Sequence, residues 1–185
     1  MTTTDQNIRT LFTTAEAARE TIEASRQPNT PEHQDSIRRA IALYEECRTL
    51  ADQLGMFSRN ESLDDISSTD LQYLLIDYRL AGLIQQSQCD NRKAIIQQSN
   101  EAYERFLSRL DDYELLSAAD QRLYEQYHEA PSTFSTATTK DPAARRDTKI
   151  ARFKAEKELK RKLEVTSPLL FPYRSHRPLH LILSY

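Results

Sequence analysis

The chain is poor in glycine, tryptophan, cysteine and histidine: of 185 residues, two are glycine, none is tryptophan, two are cysteine and four are histidine. So few glycines leave little material for tight β-hairpins or a phosphate-cradling loop. Cys47 and Cys89 stand apart with no CxxC and no Cys/His cluster, which removes zinc-finger and redox-motif readings. No apolar run approaches the roughly 20 residues a spanning helix needs. MTTTDQNIRT at the start has neither a basic n-region nor an apolar core, so it reads as no signal peptide. The Asn60-Glu61-Ser62 sequon then reads as plain loop sequence, and the chain as cytoplasmic or also nuclear.

What is abundant favours helix: Leu, Ala, Gln, Glu, Lys and Arg, with 29% charged residues. The expected fold is all-α, an antiparallel, solenoid-like array of about six helices. The first covers 5–26 with Thr4 as N-cap and Ile8, Leu11, Phe12, Ala15, Ala18 and Ile22 on one stripe. The second starts at a Thr30 cap with Pro31 in the first turn, buries Ile37, Ile41, Tyr44, Cys47, Ala51 and Leu54, and stops at Gly55. The third spans 69–86 behind a capping-box-like Ser67–Asp70, with Leu71, Leu74, Leu75, Ile76, Tyr78, Leu80, Leu83 and Ile84 over a wide arc. The fourth spans 90–112, with Ile95, Ala102, Tyr103, Phe106 and Leu110 inward. The fifth starts at Ser117 and carries Leu123, Tyr124 and Tyr127.

These helices make a body over 1–129. Residues 130–141 read as a flexible linker, and 142–165 as a basic helix capped by Asp141. Residues 166–185 read as an atypical, disordered tail. Charge divides the same way. Residues 1–140 hold 14 basic and 23 acidic side chains, and 141–164 hold 9 and 5. The last 21 residues carry Arg174 and Arg177 and no acid. An acidic body with a basic arm points to protein partners and away from broad nucleic-acid binding.

The search for catalytic groups finds little. His33 and His128 are isolated, and Pro178 separates His176 from His180, which opposes a helical metal pair. No Ser or Cys nucleophile has an identifiable base. Asp64-Asp65 and Asp111-Asp112 sit at loops or helix ends, where carboxylates ordinarily just solvate a surface. The expectation is a non-enzyme with no cofactor and no metal. On the basic helix, Arg146, Lys149, Ile150, Phe153 and Lys157 share one face at 100° per residue. Two readings of that face stay open on spacing alone: Ile150 and Phe153 dock on the body, or they anchor a partner inside a charged rim. Binding of acidic membrane or nucleic acid is a rival, weakened by Glu156, Glu158 and Glu164.

GMFSRNESLDDISSTDLQYLLIDYRLAGLIQQ and DPAARRDTKIARFKAEKELKRKLE resemble two signatures of the type 2A phosphatase-associated protein family of the TOR pathway, whose animal members are called immunoglobulin-binding protein 1. IRRAIALYEECRTLADQL is similar to the helix before the first signature. The resemblance implies a non-catalytic, tetratricopeptide-like adaptor. Such an adaptor binds catalytic subunits of type 2A and related Ser/Thr phosphatases and holds them latent and protected. It implies phosphatase contact through Arg146 and Lys149, with Phe153 beside them, and leaves the catalytic metals to the phosphatase. Family members continue into an acidic tail, whereas VTSPLLFPYRSHRPLHLILSY here has no acid and is expected to be a truncated or alternatively read end without function.

Overall fold

A computed structural model describes residues 3–26, 30–58, 61–135 and 142–170. Among them are six α-helices, two 3₁₀ turns and no strand: α1 Thr3–Glu23, α2 Pro31–Gln53, α3 Ile76–Gln86, α4 Arg92–Asp112, α5 Ala118–Glu129 and α6 Pro142–Leu170. The expected all-α class is the observed one. The chain divides into two units, residues 1–128 and 129–185.

Capping chemistry sets several starts. Thr30 Oγ1 accepts the His33 N–H at 3.2 Å, with Pro31 opening α2 as expected. Asn91 Oδ1 accepts the Ala94 N–H at 3.1 Å, so α4 opens two residues after the expected position. Ser117 Oγ accepts the Asp120 N–H at 3.2 Å and donates its hydroxyl to the Asp120 carboxylate at 2.7 Å ahead of α5. Thr4 is helical and not the cap of α1, which ends at Glu23. Gly55 sits after α2 at φ 60, and a Cβ there would meet nothing within 4 Å. The cost of a side chain is therefore purely conformational, and Gly55→Ala is expected to lose about 1 kcal/mol in urea unfolding.

Cross-helix pairs give the directions in the first unit. Gln34 on α2 bonds the Gln86 carbonyl (3.3 Å) and the Gln88 N–H (2.8 Å), while Arg48, later on α2, reaches Asp77, earlier on α3. Ser99 donates to the Ala81 carbonyl (3.1 Å) and Arg105 pairs with Asp77 (3.1 Å). Each pair rises on one helix as it falls on the next, so α2, α3 and α4 run antiparallel. The core lies where α1, α2 and α3 meet. Ile8, Phe12, Ala15 and Ile22 face Ile37, Tyr44 and Cys47, and the floor is Tyr73, Leu80, Leu83 and Ile84. Phe12 meets Tyr44 and Tyr73 edge-on at 6.2 and 5.2 Å. Burying each large aliphatic side chain here contributes about 1.5–3 kcal/mol.

The third expected helix is two elements. Leu71–Leu75 is a 3₁₀ turn, and α-helix begins only at Ile76. A 3₁₀ turn advances about 120° per residue instead of about 100°. Five such residues shift the apolar phase by about 100°, which brings Tyr73 and Leu74 inward and leaves Leu71 and Leu75 each 36% exposed. Tyr78, expected inside, is 44% exposed against Tyr103 and Phe106. The expected box at Ser67–Asp70 is absent, since the Ser67 hydroxyl pairs with Thr69. Its counterpart lies earlier, where the Asp65 carboxylate accepts both the N–H and the hydroxyl of Ser62 at 2.8 Å. Those bonds hold the Asp65 carboxyl below its usual range.

Polar contacts pin α1 to the rest. Tyr44 donates its hydroxyl to Glu16 at 2.6 Å, Arg19 pairs with Glu16 at 2.8 Å, and Arg79 reaches it at 3.3 Å. Burial pushes the Glu16 carboxyl up, but the hydrogen bonds of Arg19 and Tyr44 and the charges of Arg79 and Arg19 outweigh it and hold it below 4.5. A carboxylate depressed by folding stabilises the fold fully above its unfolded pKa and loses that contribution as pH falls through the folded value. Stability by urea is therefore expected to decline below about pH 4.5, and Glu16→Gln is expected to flatten that decline.

α6 belongs to the second unit. It ends at Leu170, past the expected 165, and passes through Pro168 in its last turn. Within the expected linker, Thr133 and Phe134 N–H groups bond the Ala130 carbonyl at 3.1 and 2.9 Å, which closes a turn. The rest of that linker, the Asp141 cap, and the tail from 171 with His176 and His180 lie outside the described residues, as does Asn60.

Candidate partner-binding surface

The Ala-, Lys- and Glu-rich sequence of α6 suits helix through Glu164, with no glycine to weaken it. Relative to Arg146, helical geometry puts Lys149 about 60° to one side, Ile150 about 40° to the other, and Phe153 and Lys157 within about 20°. Arg146, Lys149 and Lys157 are exposed. Ile150 is 41% and Phe153 65% exposed. Arg146 and Phe153 are about 10 Å apart along the axis. The stripe thus presents cations around a largely bare aromatic ring, the composition of an anchor with a charged rim.

Farther along, α6 satisfies its own charges. Lys160 pairs with Glu156 at 2.7 Å and Arg161 with Glu158 at 2.8 Å. The hydrogen bond to Arg161 holds the Glu158 carboxyl low. Neither of these two pairs involves Arg146 or Lys149.

The other sequence candidates do not assemble into a reactive site. Cys47 is buried, and burial, with the charge of Glu46, pushes its thiol up to about 12, so it is not a thiolate at neutral pH. His33 is 9% exposed at the start of α2, and His128 meets Tyr124 edge-on at 4.5 Å. Asp65 is held by Ser62. Among the described residues no group of three or more His, Cys, Asp or Glu could hold a metal ion, and no helix is long and apolar enough to cross a membrane.

Sequence reasoning missed the charged centre of the body. Asp77 is fully buried, with Arg105 at 3.1 Å, Arg109 at 3.5 Å and Arg48 at 3.9 Å. Arg109 also reaches Asp52 at 3.6 Å. One signal was available: Asp77 falls three residues after Leu74 and three before Leu80, in the inward phase of its helix.

The TAP42-like family profile matches residues 8–169, nearly the whole described chain. The chain belongs to the TAP42-like family. The match takes in the Arg146–Lys157 stripe of this TAP42-like chain. Among its relatives is the rice protein named PP2A regulatory subunit TAP46, 32% identical over 130 residues, which are 70% of this chain and 29% of that protein. The budding-yeast type 2A phosphatase-associated protein 42 is 30% identical over 102 residues, 50% of this chain and 28% of the yeast one. The human immunoglobulin-binding protein 1 family member C is 29% identical over 137 residues, 70% of this chain and 39% of the human one. The TAP42-like chain spans about a third of the length of the curated relatives it matches.

Proposed function

We propose that the chain is a non-catalytic regulatory adaptor that binds and protects catalytic subunits of type 2A-like Ser/Thr protein phosphatases in TOR signalling, in the cytoplasm or also in the nucleus. The observation that carries this reading is the α6 stripe, with Phe153 65% exposed one turn beyond exposed Arg146 and Lys149, in a chain of the TAP42-like family. Relatives named as a PP2A regulatory subunit and a type 2A phosphatase-associated protein supply the partner class. Arg146 and Lys149 pair with acidic groups on the phosphatase, Phe153 packs into an apolar hollow beside them, and the helical body excludes other subunits. The chain adds no cofactor or metal, because hydrolysis belongs to the partner. Capture of a type 2A catalytic subunit by the wild-type chain, lost in Arg146→Glu/Lys149→Glu with helicity intact by circular dichroism, is the expected result. Equal capture by both would move the contact onto the body, and capture by neither would remove the partner.

A further inference from the structure

A cavity of about 530 Å³ opens between α4, α5 and the loop leaving α2. Four rings line it: Phe57, Tyr113, Tyr124 and His128. Phe57 meets Tyr113 edge-on at 6.3 Å, and Tyr124 meets His128 edge-on at 4.5 Å, so neither pair stacks its ring faces together. One cation already uses these rings, since the Arg109 guanidinium lies 5.1 Å over Phe57. Glu101, Glu104 and Asp112 share the walls. Two arginines line it as well, Arg105, 42% exposed, and Arg109, and both pair with the buried Asp77. A second cavity of about 510 Å³ shares Asp112 and Tyr113 and adds Glu61, Asp64 and Glu114.

Burial, with a smaller contribution from nearby carboxylates, keeps the phenols protonated. Burial raises the Tyr124 phenol, and the charges of Asp111, Asp112 and Glu104 raise it further against the hydrogen bond of Ser108. Burial and the charge of Glu61 raise Tyr113. The wall made by α5 is also underpacked. None of its residues is buried, and the Tyr127 hydroxyl holds it to the Glu104 carboxylate of α4. A helix of twelve residues is marginal on its own in water, so a ligand filling this trough would gain by completing its packing.

We propose that this trough docks a lysine- or arginine-rich segment of a second protein. One cationic side chain lies among the four rings, and its neighbours pair with Glu101 and Glu114. Charge complementarity selects the occupant: the two adjoining cavities carry six carboxylates against two arginines, the body carries 23 acidic against 13 basic side chains over residues 1–129, and the floor is aromatic. This surface is distinct from the α6 stripe and opposite to it in sign, so it stands whether or not that stripe binds a phosphatase. A second copy of this chain, presenting its own basic α6, is the other occupant the charges allow.

The test is a titration of the isotopically labelled full chain with a short blocked peptide of alternating arginine and alanine at physiological salt. Saturable shifts confined to Phe57, Tyr113, Tyr124, His128 and their neighbours are expected. Glu101→Lys/Glu114→Lys, both exposed positions, should weaken the peptide by about 10-fold or more, and Tyr124→Leu by about 3-fold or more through the lost ring. Unchanged circular dichroism in the charge variant separates lost docking from lost folding. Shifts spread over every acidic surface, no saturation, or full affinity in both variants would overturn the proposal. Concentration-dependent dimers without peptide, abolished by Glu101→Lys/Glu114→Lys, would assign the trough to a second copy and also overturn it.

Discussion

Asp77→Ala is expected to destabilise the helical body by about 3–5 kcal/mol, the range seen when one partner of a buried ion pair is removed. Asp77 has no exposed surface, and its carboxylate is the one acid that Arg48, Arg105 and Arg109 share. It sits on α3 and draws on α2 and α4, so its loss loosens the attachment of three helices together. The size of the effect comes from the arginines left behind: Arg109 is 19% exposed and Arg48 28%, so neither is well placed to regain full hydration. Asp52 compensates little, because it is 61% exposed and, among the described residues, pairs with Arg109 alone of the three. Oδ2 of Asp77 makes no hydrogen bond but lies 3.5 Å from Arg109, so part of the interaction is pure charge attraction. Asp77→Asn, which keeps an acceptor for the Arg105 N–H at 3.1 Å, should cost less than alanine. Urea unfolding followed by circular dichroism reads both. A loss under about 1 kcal/mol for alanine would mean that the arginines are effectively solvated in the native body.

Arg146→Glu/Lys149→Glu is expected to weaken phosphatase capture by about 30-fold or more, and to abolish it in a wash-limited assay. Truncating one member of a buried, hydrogen-bonded charge pair at an interface costs about 2–5 kcal/mol, and reversal adds repulsion to loss. The variant should leave folding untouched, because both side chains are exposed in the unbound chain. Salt separates the alternatives. If the cations steer and pair at a rim, wild-type association falls steeply with ionic strength, whereas a contact dominated by Phe153 is insensitive to it. A double variant that binds as wild type at low salt would overturn the role of the stripe.

The helical periodicity of α1 and α2 was readable because their core is built from residues three and four apart, and Ile8, Phe12, Ile22, Ile37, Tyr44 and Cys47 are buried as spaced. The stops and starts at Thr30, Gly55 and Ser117 were also local, since a cap or a positive φ is decided within a few residues. The α6 face was legible for the same reason: a helix converts spacing directly into direction. Where local rules competed, the reading failed. Leu71 to Leu75 can wind either way, and the 3₁₀ form puts Tyr73 against Phe12 of α1, a residue about 60 positions away in the chain.

By itself the sequence determined the all-α class, the acidic body and basic arm, the family resemblance and the cationic face with its aromatic residue. All of these follow from composition and from spacing within one segment. Tertiary structure alone decided that Arg48, Arg105 and Arg109 converge on Asp77, that Tyr44 and Arg79 meet at Glu16, and that α4 and α5 leave a ring-lined trough between them. The physical reason is that charge pairing and cavity shape depend on distances between segments remote in sequence. Those distances are set by how side chains from separate helices interlock, and no single helix carries that information.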